Sequence, residues 1–147
     1  MKSTAIKAAK EAGKIILRYY SKNVDAVSKG NTYDLVTEAD LASESKIISI
    51  IKKKFPNHSL LTEESGEEIH KSDYCWVIDP LDGTNNFYHK FPMFCISIAL
   101  YKKGKPLIGV VFDPLKNELF FAEKNEGAFL NNKKINVSNV SKLSDSL

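Results

Sequence analysis

The chain is poor in cysteine, in net charge and in long apolar runs at its start, and each shortage excludes something. Only Cys75 and Cys95 occur among the 147 residues. Each lies inside an apolar run, so neither a disulfide framework nor a thiolate metal cage is available, and reduced core thiols are the expectation. Twenty-one Lys and Arg against 18 Asp and Glu leave a net charge of +3, far from the concentrated positive charge of a nucleic-acid binder. The clusters Lys52-Lys53-Lys54, Lys102-Lys103 and Lys133-Lys134 stand beside Pro, Gly or Asn and read as solvated helix ends and turns. Residues 1–20 alternate charge with small apolar side chains and offer neither a signal peptide nor a membrane span. The expectation is a cytoplasmic protein with no membrane and no nucleic acid among its partners. The sequons at Asn136 and Asn139 then have no chemical consequence.

What remains is ordinary globular material. With 43% hydrophobic and 27% charged residues in 147, the chain can build one domain with a sizeable core. Ala5, Ala8, Ala9, Ala12, Ile15, Ile16 and Tyr19 recur at three and four, which predicts a helix over residues 3–20 capped by Ser3 or Thr4. A second helix is expected over 38–55, with Leu41, Ile48, Ile51 and Phe55 on its apolar face and Pro56 ending it. Residues 28–33 read as a short hairpin or loop. After Pro56 come short apolar or alternating runs at 59–61, 74–78, 94–101, 107–112, 118–123 and 128–130, which predict strands. Turn residues separate the last four, as in an antiparallel meander. The class is α+β: two N-terminal helices packed on an antiparallel sheet, with no internal repeat or linker.

The densest chemistry lies in Trp76-Val77-Ile78-Asp79-Pro80-Leu81-Asp82-Gly83-Thr84-Asn85-Asn86-Phe87. A strand delivers Asp79 at its carboxyl end, Pro80 turns the chain, Asp82 points back, and Gly83 lets backbone approach a ligand. Two carboxylates on such a turn can hold hard cations. Mg²⁺ takes oxygen from a few carboxylates, waters and phosphate, and nothing here is soft enough to favour zinc. If residues 83–85 open a helical turn, their amides face an anion. Taken alone the string is also an ordinary β-turn, because Asp-Pro and Asp-Gly are turn dipeptides. Thr62-Glu63-Glu64-Ser65 adds carboxylates after another strand, or is simply an exposed acidic loop. The run from Asp34 to Asp40 opens the second helix with Thr37 and Asp40 spaced as a capping box.

Together these segments resemble the inositol monophosphatase family of metal-dependent sugar phosphatases. The Trp-x-x-Asp-Pro-Leu-Asp-Gly-Thr-x-x-Phe string carries most of the likeness, supported by Asp-Leu-Val-Thr-x-x-Asp at 34–40, by Glu63-Glu64-Ser65 and by His89-x-Phe91-Pro92. The resemblance implies the N-terminal half of a layered αβαβα fold, acting on inositol phosphate or a related phosphorylated polyol. It further implies two or more Mg²⁺, for which Mn²⁺ can substitute. Glu63, Asp79 and the Leu81 carbonyl would hold one ion, and Asp79 with Asp82 a second. Asp40 and Thr84 would orient the attacking water, and the Gly83 and Thr84 amides would hold the phosphate. Glu63, Leu81, Asp82, Gly83 and Thr84 thus border the substrate as well as the metals. Two ions can activate water and stabilise the leaving alkoxide without a protein nucleophile. Cys75, Cys95, His58, His70 and His89 are left without a role.

Family members carry a second half with a Trp-Asp-x-Ala motif, whose aspartate completes the second metal site, and residues 1–147 do not contain it. The expectation is a single N-terminal domain without its C-terminal half, a homodimer when full length and catalytically incomplete alone. Such a half could act only as a metal-binding or dimerisation unit. Fructose bisphosphate and 3′-phosphoadenosine nucleotides are alternative substrates, because the selecting residues fall mostly in the other half. The Asp-x-Asp-Gly-Thr signature of haloacid-dehalogenase-type phosphatases is a rival for the loop. Asp79 and Asp82 stand three apart around Pro80, and that spacing argues against it.

Overall fold

A computed structural model describes residues 1–22, 26–28 and 35–146, with side chains everywhere among them except at 26–28, 35 and 36. Most of the segment expected as hairpin or loop, residues 29–33, lies outside the described residues, as does Asp34.

Helix α1 covers Lys2–Tyr20, and its cap position is Met1, with no side-chain cap bond. Thr4 is buried within the helix, so neither Ser3 nor Thr4 caps it as expected. The buried stripe is made of small residues, Ala5, Ala8, Ala9, Ala12 and Gly13, followed by Ile16. That stripe brings the helix close to its neighbours: a Cβ on Gly13 would sit 2.6 Å from the Phe112 ring. Strand β1 (Ala26–Ser28) pairs antiparallel with β2 (Leu35–Thr37), which runs directly into α2 (Glu38–Lys54). Phe55 caps α2 at its C-terminus, as the following proline requires.

The remaining strands form one eight-stranded sheet in the order β10-β9-β8-β7-β6-β5-β3-β4. They are β3 (Ser59–Thr62), β4 (Gly66–Glu68), β5 (Tyr74–Asp82), β6 (Cys95–Lys102), β7 (Lys105–Asp113), β8 (Glu118–Glu123), β9 (Gly127–Leu130) and β10 (Lys133–Ile135), with a one-turn helix α3 (Thr84–Tyr88) between β5 and β6. The pairing is antiparallel except between β3 and β5, which run parallel. The expected meander is present from β6 to β9. The short strands β4 and β10 were not anticipated: three residues of mixed polarity at the sheet edges carry no period to read.

Alternation assigns the two faces. Trp76, Ile78, Ile96, Ile98, Leu100, Ile108, Val110, Phe112, Leu119 and Phe121 are buried on one face, beneath α1 and α2. Burying ten large apolar side chains at roughly 1.5–3 kcal/mol each is the main force holding helices to sheet. Cys75 and Cys95 point to the opposite face and are half-buried free thiols. The expected core placement therefore fails, since each sits one residue out of step with the apolar positions. Among the described residues no helix is long and apolar enough to cross a membrane.

Candidate metal and phosphate site

Asp79 and Asp82 both come from the end of β5, and a bulge decides where they point. In a regular strand, residues three apart face opposite ways. Here Asp79 pairs with Ser97 and Asp82 with Cys95, so Pro80 and Leu81 together oppose Ile96 alone. Pro80 and Leu81 are both buried, and the extra residue returns Asp82 to the face of Asp79. Proline fits the bulge because it has no N–H to give a ladder. The Leu81 N–H donates to Asp79 Oδ1 at 3.1 Å, which fixes the first carboxylate against its own turn.

Gly83 then takes φ +92°, and a Cβ there would lie 3.0 Å from the Met93 carbonyl oxygen. Both the dihedral and the space demand glycine. Residues 84–88 do open a helical turn, with the Phe87 N–H donating to the Gly83 carbonyl at 2.9 Å. Phe87 anchors that turn against Phe94 and Tyr20, with ring centroids 5.3 and 5.5 Å away. Asn86 Nδ2 donates to the Met93 carbonyl at 2.8 Å and closes the loop.

Electrostatics tie Glu63 to this loop. The Asp79 carboxyl is pushed up to about 7, first by burial, then by the charge of Glu63 and a hydrogen bond shared with it, then by Asp82. Glu63 and Asp82 are exposed and Asp79 half-buried. The Cys95 thiol donates to Asp82 Oδ2 at 3.6 Å and is itself pushed up to about 12 by burial and by Asp82, so it stays protonated. Among the described residues no three Asp, Glu, His or Cys side chains gather tightly enough to hold an ion unaided. Mg²⁺ seldom asks for that: it takes one or two carboxylates and completes its shell with water and phosphate. A crowded carboxylate pair that retains a proton, with a third carboxylate and the Leu81 carbonyl beside it, is a donor set of the right hardness.

Thr84 and Asp40 meet as well. Thr84 Oγ1 lies 2.9 Å from Asp40 Oδ1 and 3.0 Å from the Leu81 carbonyl. A hydroxyl has one proton, so it serves these two acceptors in alternation unless Asp40 supplies a proton of its own. Asp40 is fully buried. Burial raises its carboxyl above the ordinary value, against hydrogen bonds from Thr37 and Thr84 that lower it. The capping box is also present: the Thr37 N–H and hydroxyl reach Asp40 Oδ2 at 2.9 and 2.5 Å, while Thr37 Oγ1 accepts from the Ala39 N–H at 3.1 Å. Asp40 caps the helix with one oxygen and holds Thr84 with the other.

Sequence reasoning missed what lies next on α2. Of the expected face of Leu41, Ile48, Ile51 and Phe55, Ile51 is buried and Ile48 and Phe55 pack half-buried against the core, but Leu41 is exposed, and the fully buried residues are Ala39, Asp40, Ser43, Glu44, Ile47 and Ile51. Ser43 Oγ donates to the Pro80 carbonyl in the bulge at 2.8 Å. Glu44 accepts from the Glu64 N–H at 2.9 Å and from the Ser65 hydroxyl. A signal existed, since 40, 43, 44, 47 and 51 have the spacing of one helix face. Polar residues held its first half. The histidines stay outside the site. His58, in the loop between α2 and β3, is stacked between Phe55 and Tyr74 at 4.8 and 4.7 Å, and its Nδ1 accepts from Trp76 Nε1 at 3.1 Å.

The chain as a whole is similar to known proteins. The model of the family described as "Inositol monophosphatase family" matches residues 1–147. A curated protein named "Nus factor SuhB" from Pasteurella multocida is 47% identical over 95% of this chain and 53% of its own length. An inositol-1-monophosphatase of Synechocystis is 44% identical over 97% of this chain and 50% of its own. The crystal structure of an extragenic suppressor protein suhB from Bartonella henselae superposes with a TM-score of 0.91 at 39% identity, covering 95% of this chain and 55% of that one. The chain thus spans about half the length of the relatives it matches.

Proposed function

This chain belongs to the inositol monophosphatase family, and from that premise we propose that it supplies the metal-binding half of a Mg²⁺-dependent phosphatase hydrolysing a phosphate monoester of inositol or a related polyol. The observation that carries the reading is the carboxylate cluster, in which Asp79 is pushed up to about 7 by burial, Glu63 and Asp82. Glu63, Asp79 and the Leu81 carbonyl would hold one ion, and Asp79 with Asp82 a second. Bound there, the ions would lower the pKa of a water and offset charge on the leaving oxygen. The protein's own part is positional: the Thr84 hydroxyl, held by Asp40, would orient that water, and the Gly83 and Thr84 amides would face the phosphate. The domain corresponds in this reading to the N-terminal part of the full-length relatives. The whole enzyme is a cytoplasmic homodimer, with Mn²⁺ able to replace Mg²⁺.

Two measurements test it. Calorimetric titration with Mg²⁺ should show binding that Asp79→Asn abolishes, because that substitution removes a ligand from both ions. Hydrolysis of inositol 1-phosphate should be weak for residues 1–147 alone and strong for a version extended by the second half of a relative. Unchanged Mg²⁺ affinity in Asp79→Asn sinks the ligand assignment, and equal turnover of the two lengths sinks the half-domain reading. Fructose bisphosphate and a 3′-phosphoadenosine nucleotide belong in the same assay. The exclusion of a nucleic-acid partner rests on composition alone, and the Nus factor name of relatives at 43–47% identity gives it no support.

A further inference from the structure

We propose that Glu44 is a positioning residue, whose buried carboxylate sets where Glu63 stands relative to Asp79. The inference rests on the reading above, in which those two carboxylates share an ion. Glu44 is only 2% exposed, on the α2 face that otherwise packs Ile47 and Ile51 against the sheet. A carboxylate is a costly occupant of such a place unless its oxygens are well bonded, and an apolar side chain would fill the volume without that cost. Both oxygens are engaged, and both with the segment that follows Glu63. One accepts the Glu64 N–H at 2.9 Å, and the other accepts the Ser65 hydroxyl.

The consequence for Glu63 follows from the backbone. Its own N–H donates to the Ile78 carbonyl on β5 at 3.2 Å, so two consecutive amides, at 63 and 64, are gripped by two different elements. β5 also carries Asp79, one residue beyond Ile78. Past this point the chain turns back through Gly66 at φ +78°, with Thr62 Oγ1 bonded to the Gly66 carbonyl at 3.1 Å. Without Glu44 the turn keeps its β5 anchor but loses the helix anchor, and Glu63 is held less firmly beside Asp79. Two neighbouring rungs on the same face, Asp40 on Thr84 and Ser43 on the Pro80 carbonyl, show that α2 braces each of the three segments from which the site is drawn.

Glu44→Ala, Glu44→Gln and, as a matched loss of packing on the same face, Ile47→Ala separate positioning from charge and from stability. Gln can accept the Glu64 N–H with its carbonyl oxygen and donate to the Ser65 oxygen with its amide, so it preserves the brace while removing the charge. In metal-free protein, hydrogen exchange at the Glu64 amide should quicken at least about tenfold in Glu44→Ala and stay within about threefold of wild type in Glu44→Gln. Mg²⁺ affinity by calorimetry should fall about 10–100-fold in Glu44→Ala, the cost common for partners that orient a ligand, and be nearly kept in Glu44→Gln and Ile47→Ala. A Gln variant as weak as the Ala variant would assign the effect to charge and overturn the proposal. So would an Ile47→Ala loss as large as that of Glu44→Ala, or unchanged exchange at Glu64. If the wild type takes no Mg²⁺, the phosphatase reading fails by itself, while the exchange rates still decide the role of Glu44.

Discussion

Proton and metal should compete for Asp79, and the competition can be sized. The carboxyl is pushed up to about 7 by burial, Glu63 and Asp82, whereas an ion needs it deprotonated. With that pKa the ionised share climbs from about 3% at pH 5.5 to about 75% at pH 7.5, so apparent Mg²⁺ affinity should rise roughly 25-fold across the interval. An aspartate at its ordinary value is almost fully ionised throughout and would give a change of about 2%. Calorimetry in two buffers of different ionisation enthalpy at pH 6 should reveal close to one proton released on binding of the first ion. Glu63→Gln removes the largest charge acting on Asp79 but not its burial, so the break should move down without reaching the ordinary value. The metal-free fold should respond in the opposite sense. Its folded pKa lies above the unfolded one, so the stability tied to this proton is whole below about pH 4 and is lost as pH rises through about 7. Added Mg²⁺ should restore that loss. A flat affinity profile with no proton release would refute the clustering of the three carboxylates.

Other expectations concern single positions. Gly83→Ala forces a Cβ at φ +92° to within 3.0 Å of the Met93 carbonyl, and urea unfolding should show a loss of about 1–3 kcal/mol. Thr37→Ala should cost about 0.5–2 kcal/mol as a lost cap. Asp40→Asn should leave Mg²⁺ affinity nearly intact yet slow a turnover-competent enzyme about 10²–10⁴-fold; a lowered melt with turnover per folded molecule unchanged would reduce Asp40 to a cap. Burial and the N-terminal ammonium lower the His58 pKa, so stability should fall as pH drops from about 6.5 through the folded value. Trp76 fluorescence should follow that fall, and His58→Gln should remove it.

Most of the fold was legible because its elements repeat a period. Strands β6 to β8 alternate, as does β5 up to its bulge, and α1 shows its alanine stripe at three and four. The candidate loop was read for another reason, since Asp79 to Phe87 is a dense local string, although its partners Glu63 and Asp40 come from elsewhere in the chain. What escaped depended on tertiary context. The apolar residues Leu41 and Ile48 suggested one face for α2, but three polar side chains were drawn inside by partners 20 to 44 residues away, at Glu64, Pro80 and Thr84. The stacking of His58 escaped for a similar cause: it is a polar residue by type, but Phe55, Tyr74 and Trp76 lie against its half-buried ring, which no local pattern announces.

The bulge in β5 makes the spacing of the two aspartates a matter of backbone length. Side-chain substitutions at Pro80 or Leu81 leave the count of residues intact, and with it the bulge. Deleting either residue removes the bulge and leaves Asp79 and Asp82 two apart in simple alternation, still on one face, so the loss falls instead on the bonds the bulge makes, from Ser43 to the Pro80 carbonyl or from the Leu81 N–H to Asp79. This stretch should therefore tolerate changes of spelling far better than changes of length, the reverse of what surface turns such as Lys103-Gly104 usually permit.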